Sequence, residues 1–479
     1  MRALPRACAV AFLTLFIPAI PQFEAIQPSL LSGGNTFVNA WADFDKDGDL
    51  DLYVGFNGTP NRLYRNDAGT LTDVGAAVGL ADARAVRAAS WGDFDADGDS
   101  DLLVGFAPGT DSVLKLYRND SGKFVDASSS LDFKLNNAAV RQPSWIDFDG
   151  DGDLDLFVAF RDRANALFRN DRGRFVDVAA EVGLADTRKT VGAVWFDYDG
   201  DGDLDVYVGN MDGDANGLFR NDRGHFTDVA AQAGIEWGGR APRDTGNGTV
   251  RPCAADVNND GHIDIFTANY GKNGLFLNHG NGRFEDVSAA WGIAIDSRYD
   301  SCAFADFDND GNLDLYVNGT VTGGTSYRDY LFRNSGTRFE DVTPENIQAL
   351  QADHGVQWAD FDNDGDMDLA LTGSQATGMH NLMRNGLAAS ASASSLSVRV
   401  RKPGAEVRVF AAGTRRLLGL RLVDTGSGYD SQNDAPVHIG VGSTARVDVE
   451  VTWPQAGKRV ITTRKNVAVK DWKGKSLAI

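Results

Sequence analysis

The chain has 479 residues, 42% of them hydrophobic and 24% charged, which argues against wholesale disorder and leaves room for two or three domains. Its formal charge is −21, from 67 acidic against 46 basic side chains; such a chain repels phosphate backbones, so no nucleic-acid partner is expected. Three cysteines exclude a disulfide-stapled scaffold, and 54 glycines beside 13 prolines mean many turns without collagen-like character.

Met1 to Arg6 carries two arginines and no acid, and Ala7 to Ile20 is an apolar run of 14 residues. That is too short to span a bilayer and reads as the hydrophobic part of a secretory signal, residues 1–19, which takes Cys8 with it. No other apolar run approaches membrane length. A secreted, periplasmic or extracellular protein without a membrane span is expected.

One nine-residue pattern, D-x-D-x-D-G-x-x-D, then recurs with starts at Asp43, Asp93, Asp147, Asp197, Asp256, Asp306 and Asp360, at intervals of 50, 54, 50, 59, 50 and 54 residues. A Trp stands two residues before the first acid in five copies (Trp41, Trp91, Trp145, Trp195, Trp358). After the acidic loop comes a strand-like run such as Leu50 to Val54, then Leu-aromatic-Arg-Asn, then a Gly-x-Phe-x-Asp-Val strand. Three or four short strands per unit, repeated seven times, predict a seven-bladed β-propeller over residues 20–386. The seventh unit stops at Asn385 without its last strand. Phe23-Glu24-Ala25-Ile26 resembles the missing piece and is expected to close the ring, leaving no exposed edge.

Oxygen ligands at alternate positions of a tight turn converge on one point, and Gly at position 6 permits the turn. The candidate metal ligands are Asp43, Asp45, Asp47 and Asp51 in the first loop, and Asp93, Asp95, Asp97 and Asp101 in the second. Asp147, Asp149, Asp151 and Asp155 form the third set; Asp197, Asp199, Asp201 and Asp205 the fourth. Asp256, Asn258, Asp260 and Asp264 follow, then Asp306, Asp308, Asp310 and Asp314, then Asp360, Asp362, Asp364 and Asp368. Position 7 (Asp49, Asp99, Asp153, Asp203, His262, Asn312, Asp366) would add only its backbone carbonyl. About seven Ca²⁺ ions are expected, chiefly structural, because four carboxylates in one turn repel unless neutralised. An EF-hand would need a Glu at position 12, where these loops carry Val, Thr or Leu in strand-like runs. The seven units resemble the FG-GAP/VCBS repeats of integrin α-subunit propellers and many secreted proteins.

Leu387 to Leu396 is small and polar and reads as a linker. Residues 397–479 run as short β-type stretches and predict a small β-sandwich-like domain with 15 basic against 7 acidic residues. That net +8 leaves −31 on residues 20–396, so the two parts attract. Gly426 to Asp434, His438 to Gly442 and Val451 to Pro454 resemble the ASPIC/UnbV domain of the cartilage acidic protein family and its bacterial relatives. Asp430 departs from that pattern, where a hydrophobic residue is usual. The resemblance implies secreted Ca²⁺-binding proteins with adhesion or matrix roles, some members belonging to natural-product pathways.

No catalytic residue and no organic cofactor site is assigned. His225 and His279 read as surface residues, and His354 and His380 lie near one another in the seventh unit. The recurring Trp reads as blade packing rather than sugar stacking. Glu236 to Val250 and Thr320 to Tyr330 depart from the repeat and carry exposed-looking aromatics and arginines, as binding loops do. Cys253 and Cys302 are placed to face each other across one blade interface. Asn57, Asn119, Asn247 and Asn318 head glycosylation sequons. The reading is a binding or adhesion module for an extracellular protein or glycan. The alternative is an enzyme or accessory protein of natural-product biosynthesis or polysaccharide processing that uses the propeller funnel as its active site.

Overall fold

The computed structural model describes residues 22–31, 33–109, 111–131, 135–350, 352–375 and 380–479. The expected signal segment lies outside them. The chain is all-β and propeller-like. Each repeat folds as an antiparallel four-stranded meander, seven among the described residues, the fifth and sixth joined edge to edge into one eight-stranded sheet and the second extended by Ser431–Gln432. The strand after the acidic loop is buried along its whole length in six units, as in Asp51–Phe56, Asp101–Phe106 and Asp155–Phe160, and in Asp264–Lys272 all but Tyr270 and Lys272 are buried, which explains the nearly continuous apolar sequence. The strand before the loop is innermost: Thr36–Ala42, Val86–Gly92, Val140–Ile146, Thr190–Phe196, Gly248–Ala255, Asp296–Ala305 and Val356–Ala359. Each inner strand packs against the next, and the first packs against the seventh.

Two repeated side chains join sheet to sheet. Trp41, Trp91, Trp145 and Trp195 are at most 1% exposed, wedged between sheets, and Trp91 Nε1 donates to the Ala40 carbonyl of the preceding sheet (3.3 Å). The Asn of Leu-aromatic-Arg-Asn reaches back to the preceding loop: Asn119 Nδ2 donates to Phe44 O (2.8 Å), Asn170 to Phe94 O (3.0 Å) and Asn221 to Phe148 O (3.0 Å). The same bond runs from Asn66 to Phe361 O (2.6 Å), tying the first unit to the seventh. The outer strand of the seventh sheet is Phe23–Ala25, in register Phe23↔Asn385, Glu24↔Arg384 and Ala25↔Met383, as the missing segment predicted. A disulfide joins Cys253 and Cys302 on the inner strands of the fifth and sixth sheets.

The C-terminal part forms two small sheets. One is ordered Leu417–Leu422, Glu406–Ala411, Arg446–Pro454, Arg459–Ala468; the other Val437–Gly440, Ser395–Arg399, Leu477–Ala478. Leu396, Val398, Val407, Val449, Val451 and Ile439 fill the space between them. The segment read as a linker is not featureless. Ala389–Ser392 is a helical turn, Ser392 is buried and Leu396 belongs to this core, so small side chains here permit close packing rather than freedom. We call this part the cap, because it sits on the acidic-loop face.

Candidate functional site

The seven loops share one hydrogen-bond scheme. The position-6 glycines have φ between 89° and 99°, which favours a residue without Cβ. Their N–H groups point back to the position-1 carboxylate, as from Gly48 to Asp43 Oδ2 (3.2 Å) and from Gly365 to Asp360 Oδ2 (3.1 Å). The position-9 carboxylate is buried and accepts two backbone N–H groups. Asp155 accepts from Phe148 (3.2 Å) and Asn170 (2.8 Å), and its equivalents from Asp51 to Asp368 do the same. One carboxylate therefore fastens the loop to the third strand of its sheet.

Positions 1, 3 and 9 come together. Ligand oxygens of Asp43, Asp45 and Asp51 lie within 4.8 Å of one another, and so do those of Asp93/Asp95/Asp101, Asp147/Asp149/Asp155, Asp197/Asp199/Asp205 and Asp306/Asp308/Asp314. Position 5 turns to its own loop, where Asp47 Oδ1 accepts from the N–H of Asp49 (2.9 Å) and Asp260 Oδ1 from that of His262 (2.9 Å). Position-7 side chains turn to partners outside the cluster: Asp99 pairs with Lys46 (2.5 Å) and Asp49 accepts from Asn363 of the seventh loop (2.7 Å). Burial pushes the carboxyls of Asp51 and Asp101 up to about 8, that of Asp155 to about 9, and those of Asp197, Asp256 and Asp360 to about 7. Oxygens of Asp43, Asp93, Asp308, Asp360 and Asp362 are buried with no hydrogen-bond partner. Hard oxygen donors that converge, lack partners and resist ionisation by themselves fit a hard divalent cation, which would offset their repulsion.

The cap engages this face through opposite charge and close approach. Arg459 Nη1 is 3.2 Å from Asp197 Oδ2, and Arg421 Nη2 is 3.3 Å from Asp306 Oδ2, which also accepts from Gly440 N (3.0 Å). Gly457 N donates to Asp203 (2.6 Å). A Cβ on Gly202 would stand 2.5 Å from the Lys458 carbonyl carbon, so that glycine also makes room for the cap.

Residues 424–434 of the cap enter the channel and satisfy the inner strands' free edges. Gln432 covers both backbone groups of Trp145, accepting its N–H (2.7 Å) and donating to its carbonyl (3.0 Å). Thr425 Oγ1 does the same for Trp195 (2.9 Å each way). Trp41 donates to Asn433 Oδ1 (2.8 Å) and accepts from Asp434 N (2.9 Å). Ser431 and Gln432 pair in parallel with Ala89 and Ser90 of the second inner strand. The sequence offered no role for this segment. It marked Gly426 to Asp434 by resemblance alone, and the physical signal was a run of side chains, Thr, Gln and Asn, able to donate and accept at once.

His225 and His279 are exposed, while His354 and His380 stand in different surroundings. His380 is buried and its Nε2 lies 2.9 Å from Tyr64 Oη, whereas His354 faces Asp300 and Asp353 (3.6 and 3.4 Å). The first departure from the repeat is less exposed than expected: Arg240 is 3% exposed and its guanidinium bonds the Asn210 carbonyl (3.3 Å), because it anchors the insertion. In the second, Thr325–Ser326 and Arg328 are exposed and Asp329 is buried against Tyr316 Oη (2.9 Å). Asn119 and Asn318 are fully buried, so those two sequons offer no acceptor in the folded protein. Among the described residues no helix is long and apolar enough to cross a membrane.

Residues 43–104, 93–158, 147–208, 197–266, 256–317 and 320–371 match the FG-GAP-like repeat, and residues 402–471 match the ASPIC and UnbV domain. Cartilage acidic protein 1 of Homo sapiens is 28% identical over 509 residues, covering 94% of this chain and 74% of that protein. Its Mus musculus counterpart is 30% identical over 302 residues, covering 59% and 44%. Among solved structures, an Agrocybe aegerita lectin that recognises non-reducing terminal N-acetylglucosamine aligns with a TM-score of 0.41 and 18% identity, over 65% of this chain and 81% of its own.

Proposed function

Because the chain belongs to the FG-GAP-like repeat family and carries an ASPIC and UnbV domain, we propose that it is a secreted calcium-binding propeller that docks an extracellular protein or glycan. In this reading residues 1–19 are a leader, 20–386 the seven-bladed propeller and 397–479 the cap, with 387–396 between them. Positions 1, 3, 5 and 9 of each loop and the position-7 carbonyl hold one Ca²⁺, about seven in all. The observation that carries the reading is the convergence of buried, unpartnered carboxylate oxygens in successive loops. A second supports binding over catalysis: residues 424–434 fill the funnel from the loop side, which leaves a deep catalytic pocket no room there.

Calcium chelation tests the reading. If each loop is filled at about ten times its dissociation constant, it contributes about 1.4 kcal/mol to stability. Chelation should therefore lower the melting temperature by about ten degrees for a chain of this length, and readdition should restore it with a stoichiometry near the number of loops. An unchanged melting curve sinks the calcium reading. Capture on glycan and matrix-protein arrays, with and without chelator, then identifies the partner class.

A further inference from the structure

Six inner strands break register at the same place. The bulges fall between Thr36 and Val38, Val86 and Ala88, Val140 and Pro143, Thr190 and Gly192, Thr249 and Arg251, and Tyr299 and Ser301. Each contains the residue four positions before the recurring Trp or its equivalent: Phe37, Arg87 and Arg141 in the first three sheets, Val191 and Val250 in the next two, Asp300 in the sixth. His354, with a left-handed φ of 68°, holds that place in the seventh. Bulges re-aim side chains and cluster beside functional sites.

These residues meet around the channel. The Arg87 guanidinium lies 4.4 Å over Phe37, Phe37 stands edge-on to His354 at 4.8 Å, and His354 Nδ1 is 3.6 Å from the Asp300 carboxylate. Tyr429 at the tip of the cap segment rises among them, edge-on to His354 at 4.6 Å and packed with Phe37, Val191 and Val250. The cap seals one side of this ring, whereas Arg87, Arg141 and His354 keep partial exposure. Arg87 makes no hydrogen bond or ion pair among the described residues, and Arg141 bonds only the Val140 carbonyl (2.9 Å) and leaves its Nε unpaired. Behind them Arg251, 1% exposed, has Nε and Nη2 without partners and a single bond to Gln142. Asp430 is a buried acid in the same field as Arg87, Arg141 and Arg251, with one carboxylate oxygen unpartnered and no ion pair to them among the described residues, while Asp300 and Asp353 face His354.

We propose that the mouth of the channel opposite the cap binds an organic oxyanion, a carboxylate or a sulfate ester, between Arg87 and Arg141, with its apolar part against Phe37 and Tyr429. Planar guanidiniums match these groups two bonds at a time, and neighbouring unpaired forks over an aromatic floor are the chemistry such a ligand needs. The proposal names one ligand class for the binding-module reading and on that point rests on it, but it does not depend on what ion fills the loops.

Calorimetric titration of the full chain in millimolar Ca²⁺ tests it, using glucuronate, N-acetylglucosamine 6-sulfate and neutral glucose as probes. One or both oxyanions should bind below about 10 mM while glucose stays silent. Which of them binds separates carboxylate from sulfate. Arg87→Gln and Arg141→Gln should each weaken binding about tenfold. Asp430→Asn, which removes the built-in carboxylate, should strengthen it severalfold, a gain that a merely destabilising change does not produce. Silence from both oxyanions, equal affinity in the arginine variants, or no gain in Asp430→Asn overturns the site. Melting with and without chelator on the same samples scores the calcium reading separately.

Discussion

At the scale of single residues, the acidic positions of a loop are chemically alike in sequence and divided in role by the fold. Asp155 accepts one N–H group from its own loop and one from the third strand of its sheet, whereas Asp153 sits half-buried at position 7. Asp155→Ala should therefore cost about 2–5 kcal/mol even in chelator, by orphaning the Phe148 and Asn170 N–H groups. Asp153→Asn should stay within about 0.5 kcal/mol, and urea midpoints measure both. His380 supplies a pH dependence. Burial holds its imidazole down to about 4, so the unfolded chain takes up the proton at about 6.5 while the folded protein does not. Stability is complete above pH 6.5 and falls as pH drops toward 4, at up to about 1.4 kcal/mol per pH unit. His380→Gln should flatten that slope in melting curves recorded in excess Ca²⁺; an unaltered slope removes His380 as its source. The spacing of the acidic positions was legible because it is local. The second role of position 9 was not, because its Asn partner arrives from another strand.

At the scale of elements, the repeat unit was readable because each strand's composition follows its depth in the sheet. The Asn of Leu-aromatic-Arg-Asn looked like a strand end and is a latch to the preceding unit, since its acceptor lies more than seventy residues away in most copies. The Cys253–Cys302 bond was anticipated from parity on neighbouring inner strands. It spans 49 residues of sequence, for which the loop-entropy estimate is about 4 kcal/mol. A Cys253→Ser/Cys302→Ser double variant should lose stability of that order, and equal melting in parent and variant would show the bond to be dispensable. The inner-strand bulges left no mark in composition, because their residues are Phe, Arg, Val and Asp in turn.

At the scale of the whole molecule, opposite charge brings the cap to the acidic face, but backbone edges decide where it goes. The inner strands of a closed ring turn unpaired N–H and C=O groups to the channel, and such groups demand partners. Gln432→Ala leaves two of them, on Trp145, unsatisfied. It should destabilise the full chain by about 2–5 kcal/mol in urea unfolding, with one cooperative transition kept. A neutral result means that water enters the channel and the cap segment is not a structural axle. The N-terminal strand acts at the same scale, since Phe23–Ala25 supplies an edge to residues more than 350 positions later.

The sequence by itself determined the period, the acidic loops and their donor chemistry, the β class, the charge contrast between propeller and cap, and the facing cysteines. All of these rest on residues close in sequence or repeated in phase. Only the tertiary structure decided that the channel is filled by residues 424–434 and that Arg87, Arg141 and His354 share one mouth. The physical reason is that a strand edge or a guanidinium takes its partner from wherever the closed ring places one, and that partner lies hundreds of residues away.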